Sequence, residues 1–232
     1  MTVDGKPAPI NEPFRVKSGA RLRWGARLAG ARMTLAVRGG FDVPATLGSR
    51  ATHLASHMGP FGGRALKAGD VLPIGTADHE PAGAAGSADP IPLFLPEGGA
   101  RLRVLPAVHR ERFTGEAWRM LTDARYTITP QSNRMGYRLE GPPLTHVGAA
   151  DILSEAMPMG AIQVPASGQP IVLLAECATT GGYATIANVI TADLPLAGQL
   201  APGDWIAFEA CTRDVAIAAL RAREAALTGA AR

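Results

Sequence analysis

Residues 161–190 read AIQVPASGQPIVLLAECATTGGYATIANVI, and this stretch decides the fold class. Three short runs rich in Ile, Val, Leu and Ala occupy residues 161–164, 171–175 and 185–190, with Gly or Pro in the turns between them. Apolar runs of this length that are bounded by turn residues are typical of buried β-strands, because helices usually need ten or more residues. The stretch therefore predicts three consecutive strands and a mainly β protein.

The same pattern of short apolar runs and turns extends outward in both directions. It predicts further strands at residues 14–16, 21–24, 33–37, 92–95, 101–105, 125–129 and 135–139. Thr114 can cap a short helix that begins there, since Glu116 complements the positive helix end and Trp118 and Leu121 give one apolar face. Residues 212–227 are rich in Ala and Arg without Gly or Pro, and they predict a C-terminal helix.

The composition of the whole chain agrees with a β fold that has many turns. The 232 residues include 27 glycines and 19 prolines, and 47% of the chain is hydrophobic. This length allows one large domain or two modest ones with a substantial core. Aromatic residues make up 5% of the chain, so we expect Val, Ile, Leu, Ala and Met to fill that core.

The chain also shows a division into two parts. Residues 76–90, TADHEPAGAAGSADP, are small and polar without periodicity, and they predict a flexible linker. The phrase LKAGDVLPI at 66–74 is similar to LAPGDWIAF at 200–208, since each is a turn through Gly followed by alternating apolar residues. We therefore predict two similarly built β lobes, at 1–75 and 91–232, on either side of the linker.

Charge and cysteine usage limit the partners and the compartment. The net charge is +3, but the basic residues are dispersed among acids without a basic block, which argues against a nucleic-acid partner. Two distant cysteines indicate reduced thiols rather than a disulfide framework. The first residues lack a signal-peptide pattern, and the longest clear apolar run, 171–175, is too short for a bilayer. We expect a cytoplasmic protein without membrane contacts.

Nucleotide and carrier motifs are absent from the sequence. Lys6 follows Gly5 but precedes Pro7, and no other Gly-Lys pair occurs, so the chain has no P-loop. Lys67 follows Leu66, and no biotin-carrier Met-Lys-Met is present. The chain also lacks Gly-x-Ser-x-Gly and His-Glu-x-x-His. If ATP or biotin takes part in the reaction, we expect another polypeptide to handle it, and we predict no cofactor bound by this chain itself.

A metal site and a cysteine nucleophile are also disfavoured. His53 and His57 are four residues apart and could share a helix face, but Gly59 and Pro60 end any helix there and no third ligand is evident. Cys177 has no histidine near it in the sequence, so a buried structural thiol is the favoured interpretation. We predict no metal.

Three stretches concentrate Gly, Arg, Thr and Gln, at residues 36–50, 132–141 and 151–183. TTGGY follows an apolar strand, so we interpret it as a loop whose backbone N–H groups can hold an oxyanion or carboxylate. Arginines in these stretches can pair with a carboxylate or phosphate. We predict a substrate-binding set of Arg50, Gln163, Thr179, Thr180, Gly181, Gly182 and Tyr183, and a catalytic pair of Arg134 and Glu155.

Within this set, Glu155 is the candidate for proton transfer, in a polar turn between strands and without a histidine nearby in the sequence. The residues alone leave a second interpretation open. In that interpretation the glycines serve bulges and turns, and the arginines bind backbone carbonyls.

The stretches also carry a resemblance to one protein family. AVRGGFDVPATLGSR, GRALKAGDVLP, RFTGEAW, SNRMGYRLEG, DILSEAMPMGAIQVPASGQPIVLLAE, TTGGYATIA and LAPGDWIAF occur in the family order between about residues 14 and 210. They closely resemble the family variously called KipA, allophanate hydrolase subunit 2, biotin-dependent carboxyltransferase and the C subunit of 5-oxoprolinase. The resemblance implies two cyclophilin-like β-barrel lobes and a KipI-like partner, often alongside a LamB/YcsF-like protein as a further subunit.

Two departures from the family pattern qualify what the resemblance implies. Family members usually begin with a segment that carries Thr-Val-Gln-Asp-x-Gly-Arg, and this chain begins after it. Either the sequence is a fragment or the front lobe is incomplete, and we expect an isolated chain that is poorly stable or self-associates. Glu176, Cys177 and Ala178 stand where the family more often has Asp-Arg-Gln, so no role is carried over to Cys177 or Ala178.

As to function, the resemblance implies an enzyme subunit that is not active alone. The first expectation is ATP-dependent opening of 5-oxoproline to glutamate, an amide-bond hydrolysis in which a partner handles ATP. The enzyme alternative is carboxyl transfer from carboxybiotin to urea, as in allophanate metabolism. The non-enzyme alternative is a KipA-like regulator that binds a KipI-like inhibitor of a sensor kinase.

Overall fold

The structure of the chain is a computed structural model that describes residues 1–76 and 95–228. The described strands are β1 Thr2–Val3, β2 Lys6–Pro7, β3 Leu22–Arg23, β4 Gly99–Pro106, β5 Arg125–Ile128, β6 Gly136–Glu140, β7 Asp151–Ala156, β8 Ala161–Gln163, β9 Ile171–Leu173, β10 Thr180–Tyr183, β11 Thr185–Val189 and β12 Trp205–Ala210. The described α-helices are α1 Pro60–Gly63, α2 Gly115–Asp123, α3 Leu194–Ala197 and α4 Arg213–Thr228, and 3-10 turns occupy Arg110–Arg112 and Thr191–Asp193.

Seven strands form a closed barrel in the order β11–β4–β12–β5–β6–β9–β8. Most neighbours are antiparallel, whereas β12 runs parallel to β4 over the register Trp205↔Gly99 to Ala210↔Val104. The three strands predicted within residues 161–190 are β8, β9 and β11 of this barrel. The mainly β fold class is therefore confirmed.

The barrel interior is filled by aliphatic side chains and a few aromatic ones. Its fully buried members alternate along the strands, as expected for a sheet with one face inward; the largest are Leu102, Tyr126, Ile128, Tyr137, Ile162, Ile186, Ile206 and Phe208. The predicted helix cap is also confirmed, because Thr114 Oγ1 accepts the N–H of Ala117 at 3.0 Å at the start of α2. Ala117 and Leu121 of α2 are buried in the same core.

A strap at residues 27–32 ties the N-terminal residues to the barrel. Arg27 forms a two-pronged ion pair with Asp204, with Nη1 2.9 Å from Oδ2 and Nη2 bonded to Oδ1. Gln199 Oε1 accepts the backbone N–H of Ala31 at 3.0 Å. These bonds connect the strap to the turn before β12 and to the second residue after α3.

The chain divides into two compact units. One consists of Met1–Arg32 with the described part of Pro90–Arg232, and the other is the described part of Met33–Asp89. This division places residues 1–32 with the barrel, whereas the sequence analysis predicted a lobe over 1–75; the two-lobe organisation stays a prediction. The predicted linker at 76–90, apart from its first residue, and the predicted strand at 92–95, apart from its last, lie outside the described residues.

The front part contains less regular structure than predicted. No strand forms at 14–16 or 33–37, and the run at 21–24 is reduced to β3, which pairs with β1. A three- to five-residue apolar run forms a strand only when a partner strand lies beside it, and the described residues supply none for the first two runs. Residues 33–76 are joined instead by isolated bridges such as Phe41↔Ile74.

Candidate functional site

The predicted loop TTGGY is largely a strand. Residues 180–183 form β10, which pairs antiparallel with β7 as a separate two-stranded ribbon. Glu155 lies opposite Gly181, and the register shifts between Gly181 and Tyr183. The predictions of a loop at 179–183 and of a polar turn around Glu155 are therefore wrong, because pairing between two segments of low strand propensity overrides their local preference.

Backbone bonds between the flanking residues extend the ribbon at both ends, and one end is joined to the barrel. Met157 donates its N–H to the Thr179 carbonyl at 2.9 Å, and Ala184 donates to the Ala150 carbonyl at 3.1 Å. The Val164 N–H in turn donates to the Ala184 carbonyl at 3.0 Å, which joins this end of the ribbon to the end of β8. The Ala184 end of β10 is thus fixed by a barrel residue, whereas the Thr179 end is held by the segment that follows β7.

Gln163 lies beneath the ribbon and is 6% exposed. Its Nε2 donates to the Tyr183 carbonyl at 3.3 Å and lies 3.1 Å from Met157 Sδ. A Cβ atom at Gly181 would stand 2.6 Å from Gln163 Nε2, so the absence of a side chain at 181 is what lets the amide reach the ribbon. The structure therefore brings Gln163, Gly181, Tyr183 and Glu155 together.

His109 is a member of this cluster that the sequence analysis missed. It follows β4, and its Nδ1 accepts the backbone N–H of Thr185 at 3.3 Å. Its Nε2 lies 3.6 Å from Glu155 Oε2, and the side chains are 16% and 39% exposed respectively. The expectation that no histidine lies near Glu155 holds only along the sequence; in the fold, the pairing of β4 with β11 brings the two together.

Arg134 is bonded to Glu176 rather than to Gln163. Its Nη2 is 2.6 Å from Glu176 Oε1, and its carbonyl accepts the Glu176 N–H at 3.1 Å. Gln163 pairs with Ile171 at one end of β9, whereas Arg134 precedes β6, whose first residue pairs with Leu173 at the other end. The structure thus bonds Arg134 to Glu176 and not to the ribbon cluster, which consists of Gln163, Gly181, Tyr183, Glu155 and His109.

Arg50 belongs to the other compact unit. Its Nε donates to the Val43 carbonyl at 2.9 Å, and its Nη2 is 3.2 Å from Asp42 Oδ1. This arginine therefore makes the kind of local carbonyl bond that the second interpretation of the glycine- and arginine-rich stretches expects.

The histidines and cysteines considered as metal ligands or nucleophiles do not form a site in the described residues. His53 and His57 lie in a turn closed by a bridge between His53 and Met58, so they do not share a helix face. In residues 1–76 and 95–228, no group of three or more His, Cys, Asp or Glu side chains could hold a metal ion. Cys177 and Cys211 are both described and both free. No helix in the described ranges has the length and hydropathy of a membrane span.

We expect Gly181→Ala to lower the free energy of unfolding by about 1–3 kcal/mol, because the new methyl group would overlap Gln163 Nε2 and stand 3.0 Å from Met157 Cγ. Gly182→Ala is the matched control on the same strand, since its Cβ would meet its nearest neighbours at 3.5 and 3.6 Å, ordinary contact distances. Urea unfolding of the two variants checks this. Equal stabilities would show that Gln163 moves aside without cost.

Comparison with known proteins gives a consistent result. The family described as carboxyltransferase domain, subdomain A and B, matches residues 1–210. The C subunit of 5-oxoprolinase from Haemophilus influenzae is 37% identical over 224 residues, which cover 97% of this chain and 70% of the relative. That of Escherichia coli is 38% identical over 204 residues, which cover 88% of this chain and 64% of the relative.

Among solved structures, the crystal structure of the K. lactis urea amidolyase matches with a TM-score of 0.76 and 29% identity, over 93% of this chain and 14% of that protein. The chain therefore spans about two thirds of the length of the bacterial relatives and a small part of the amidolyase.

Proposed function

The chain belongs to the carboxyltransferase domain family, subdomain A and B, and we propose that it is one component of a cytoplasmic, ATP-dependent 5-oxoprolinase. In this proposal it opens 5-oxoproline to glutamate together with a KipI-like and a LamB/YcsF-like subunit. The observation that carries the proposal is the 37% identity to the C subunit of a 5-oxoprolinase over 97% of this chain. Because these relatives are subunits of an enzyme, they also support the more general statement that the chain is a component of an enzyme complex.

The ribbon cluster supplies chemistry that suits the opening of a lactam. The net reaction consumes two water molecules: one adds across the lactam C–N bond, and the other adds across the terminal phosphoanhydride of ATP. In the first step the water oxygen bonds to the carbonyl carbon and a proton of that water passes to the Glu155 carboxylate; the same proton then passes from Glu155 to the nitrogen as the C–N bond breaks, which restores the carboxylate. A half-exposed carboxylate beside a side-chain-free residue, Gly181, can reach such a water.

The carboxylate of the substrate requires a positively charged partner. Two arginines are proposed for this role. Arg134 is exposed and would exchange Glu176 for the substrate. Arg50, which is bonded to Asp42 in the other compact unit, stays a proposal that rests on the sequence alone. Thr179, Thr180, Gly182 and Tyr183 stay proposals for the remaining substrate contacts.

The charges around the ribbon cluster are poorly suited to bind a nucleoside triphosphate. β7 carries two carboxylates, Asp151 and Glu155, and Arg134 is bonded to Glu176. Negative side chains repel phosphate groups, and the sequence contains no P-loop. We therefore assign ATP binding to a partner protein, which agrees with a chain that is not active alone.

The experiment that tests the proposal is reconstitution. The full-length natural chain is co-expressed with its KipI-like and LamB/YcsF-like subunits, and the purified complex is given 5-oxoproline and ATP. We expect equimolar glutamate and ADP from the three-subunit mixture, and none when this chain is left out. Glutamate formation that does not require this chain would contradict the proposal.

A second candidate is carboxyl transfer from carboxybiotin. The description of the matching family and the TM-score of 0.76 to the K. lactis urea amidolyase favour it. In that case the biotin group would come from a carrier on another polypeptide. The same complex, supplied with a biotin carboxylase, its biotinylated carrier, bicarbonate, ATP and urea, would consume urea and form allophanate, whereas the first candidate predicts no urea-dependent ADP release.

A further inference from the structure

The neighbourhood of Glu155 contains a second titratable side chain in a defined orientation. His109 Nδ1 accepts the Thr185 N–H at 3.3 Å, so the neutral imidazole carries its proton on Nε2. That nitrogen is the one that lies 3.6 Å from Glu155 Oε2. The backbone of β11 therefore directs an N–H donor of His109 toward the carboxylate.

The two side chains of the pair differ in how far they are buried. His109 is the more buried partner, and Glu155 the more exposed one. Arg112 also reaches β7, but its Nη1 donates to the Asp151 carbonyl at 3.4 Å, at the other end of that strand. The histidine is thus the inner partner of the pair, and the structure describes no hydrogen bond to the other oxygen of Glu155 among residues 1–76 and 95–228.

We propose that His109 is a positioning residue for Glu155: its Nε2–H, which lies 3.6 Å from one carboxylate oxygen in the free chain, closes to a hydrogen bond when the substrate binds, so that the other oxygen is presented to the attacking water. This inference rests on the proposed function of the ribbon cluster. A carboxylate on a two-stranded ribbon has several rotamers, and a donor fixed by the barrel selects one of them. Misplacement of a reacting group by about 1 Å can cost on the order of 100-fold in rate.

The first test reads the orientation directly and needs no activity. In the full chain labelled with 15N, the ring signals of His109 are those that vanish in His109→Gln. At a pH where the neutral form predominates, we expect the ring to be protonated on Nε2 and unprotonated on Nδ1. The opposite tautomer would place a lone pair against the carboxylate and would overturn the proposal.

The second test uses the reconstituted complex. We expect His109→Ala to lower kcat roughly 10- to 100-fold with KM changed less than about threefold. His109→Gln keeps an N–H donor and should recover kcat to within about fivefold of the wild type. A loss through misfolding or poor assembly would affect both variants equally, and that result would contradict the proposal.

A third arm separates positioning from a general structural role. If His109 acts only through Glu155, then His109→Ala adds less than about a twofold loss in a Glu155→Gln background. An undiminished 10- to 100-fold loss in that background would refute the inference. A wild-type complex that forms no glutamate would instead refute the proposed function, while the tautomer measurement would still decide the geometry of the pair.

Discussion

Asp204→Ala is expected to lower the free energy of unfolding by about 2–4 kcal/mol, which shifts Tm downward by roughly 4–16 °C for a chain of this size. Asp204 is 3% exposed, and its carboxylate accepts hydrogen bonds from Arg27 and from the Ala201 N–H at 2.9 Å. Alanine would leave the partly buried Ala201 N–H without its acceptor and would remove the Arg27 attachment of the strap at 27–32, which would then be held through Gln199. The partial exposure of Arg27 allows it to regain water, which keeps the cost below that of a fully buried pair.

The pKa of Asp204 predicts how its contribution to the free energy of unfolding changes with pH. Burial by itself raises the pKa of Asp204, but the hydrogen bonds from Arg27 and the Ala201 N–H outweigh burial, and the pKa lies below its ordinary value. A lowered folded-state pKa means that the stabilisation is present above the unfolded pKa of about 3.9 and is lost as pH falls through the folded pKa. We expect the gap in unfolding free energy between wild type and Asp204→Asn to be widest near pH 7 and to narrow below about pH 4.

An exposed pair in the same chain supplies the control. Asp42 and Arg50 form an ion pair with both side chains more than half exposed, and such pairs contribute roughly 0–1 kcal/mol. Asp42→Ala should therefore change the urea midpoint little at either pH. If Asp42→Ala and Asp204→Ala cost the same, burial does not govern the difference, and the strap makes no special contribution.

The barrel strands could be predicted from the sequence because their apolar runs are short, alternate with turns and contain the side chains that fill the core. β4, β5, β6, β8, β9 and β11 all overlap predicted runs. Helices α2 and α4 could also be predicted, since Thr114 provides a cap and residues 212–227 lack helix breakers. These signals are local, so no knowledge of distant neighbours is needed.

The ribbon could not be predicted, because its pairing depends on distant neighbours and not on a local signal. DILSEA and TGGY have few of the residues that favour strands, and they pair only because β8 and β11 bring their ends together. The strands expected at 14–16 and 33–37 show the opposite error: their residues favour strands, but no partner strand lies beside them in the described residues.

The candidate site was predictable in part. Gln163, Gly181 and Glu155 lie within one 33-residue stretch, and the fold does bring them together, while their roles stay a proposal. Arg134 was expected in the same pocket, but an ion pair with Glu176 is a tertiary contact that sequence spacing does not reveal. His109 was missed for a similar reason, because 46 positions separate it from Glu155.

Glu155→Gln is expected to lower kcat of the reconstituted 5-oxoprolinase by roughly 10²- to 10⁴-fold, the range typical of lost general acid–base catalysis. Glutamine has the shape of glutamate, and the Gly181 backbone opposite residue 155 does not change. The substitution therefore removes the ability to accept a proton while it preserves the ribbon. Size-exclusion chromatography should show an intact complex, and steady-state measurement of glutamate gives kcat and KM.

The matched control is Glu209→Gln, the same chemical change at an exposed position of strand β12, where the carboxylate is 4.0 Å from Arg101. We expect that variant to keep kcat within about twofold, because exposed ion pairs contribute little to stability. If Glu155→Gln also keeps its activity, a carboxylate at 155 is not needed for proton transfer. Since β10 would still be paired with β7 in that variant, such a result would assign the ribbon a binding or structural role, and the proton acceptor would then belong to a partner protein.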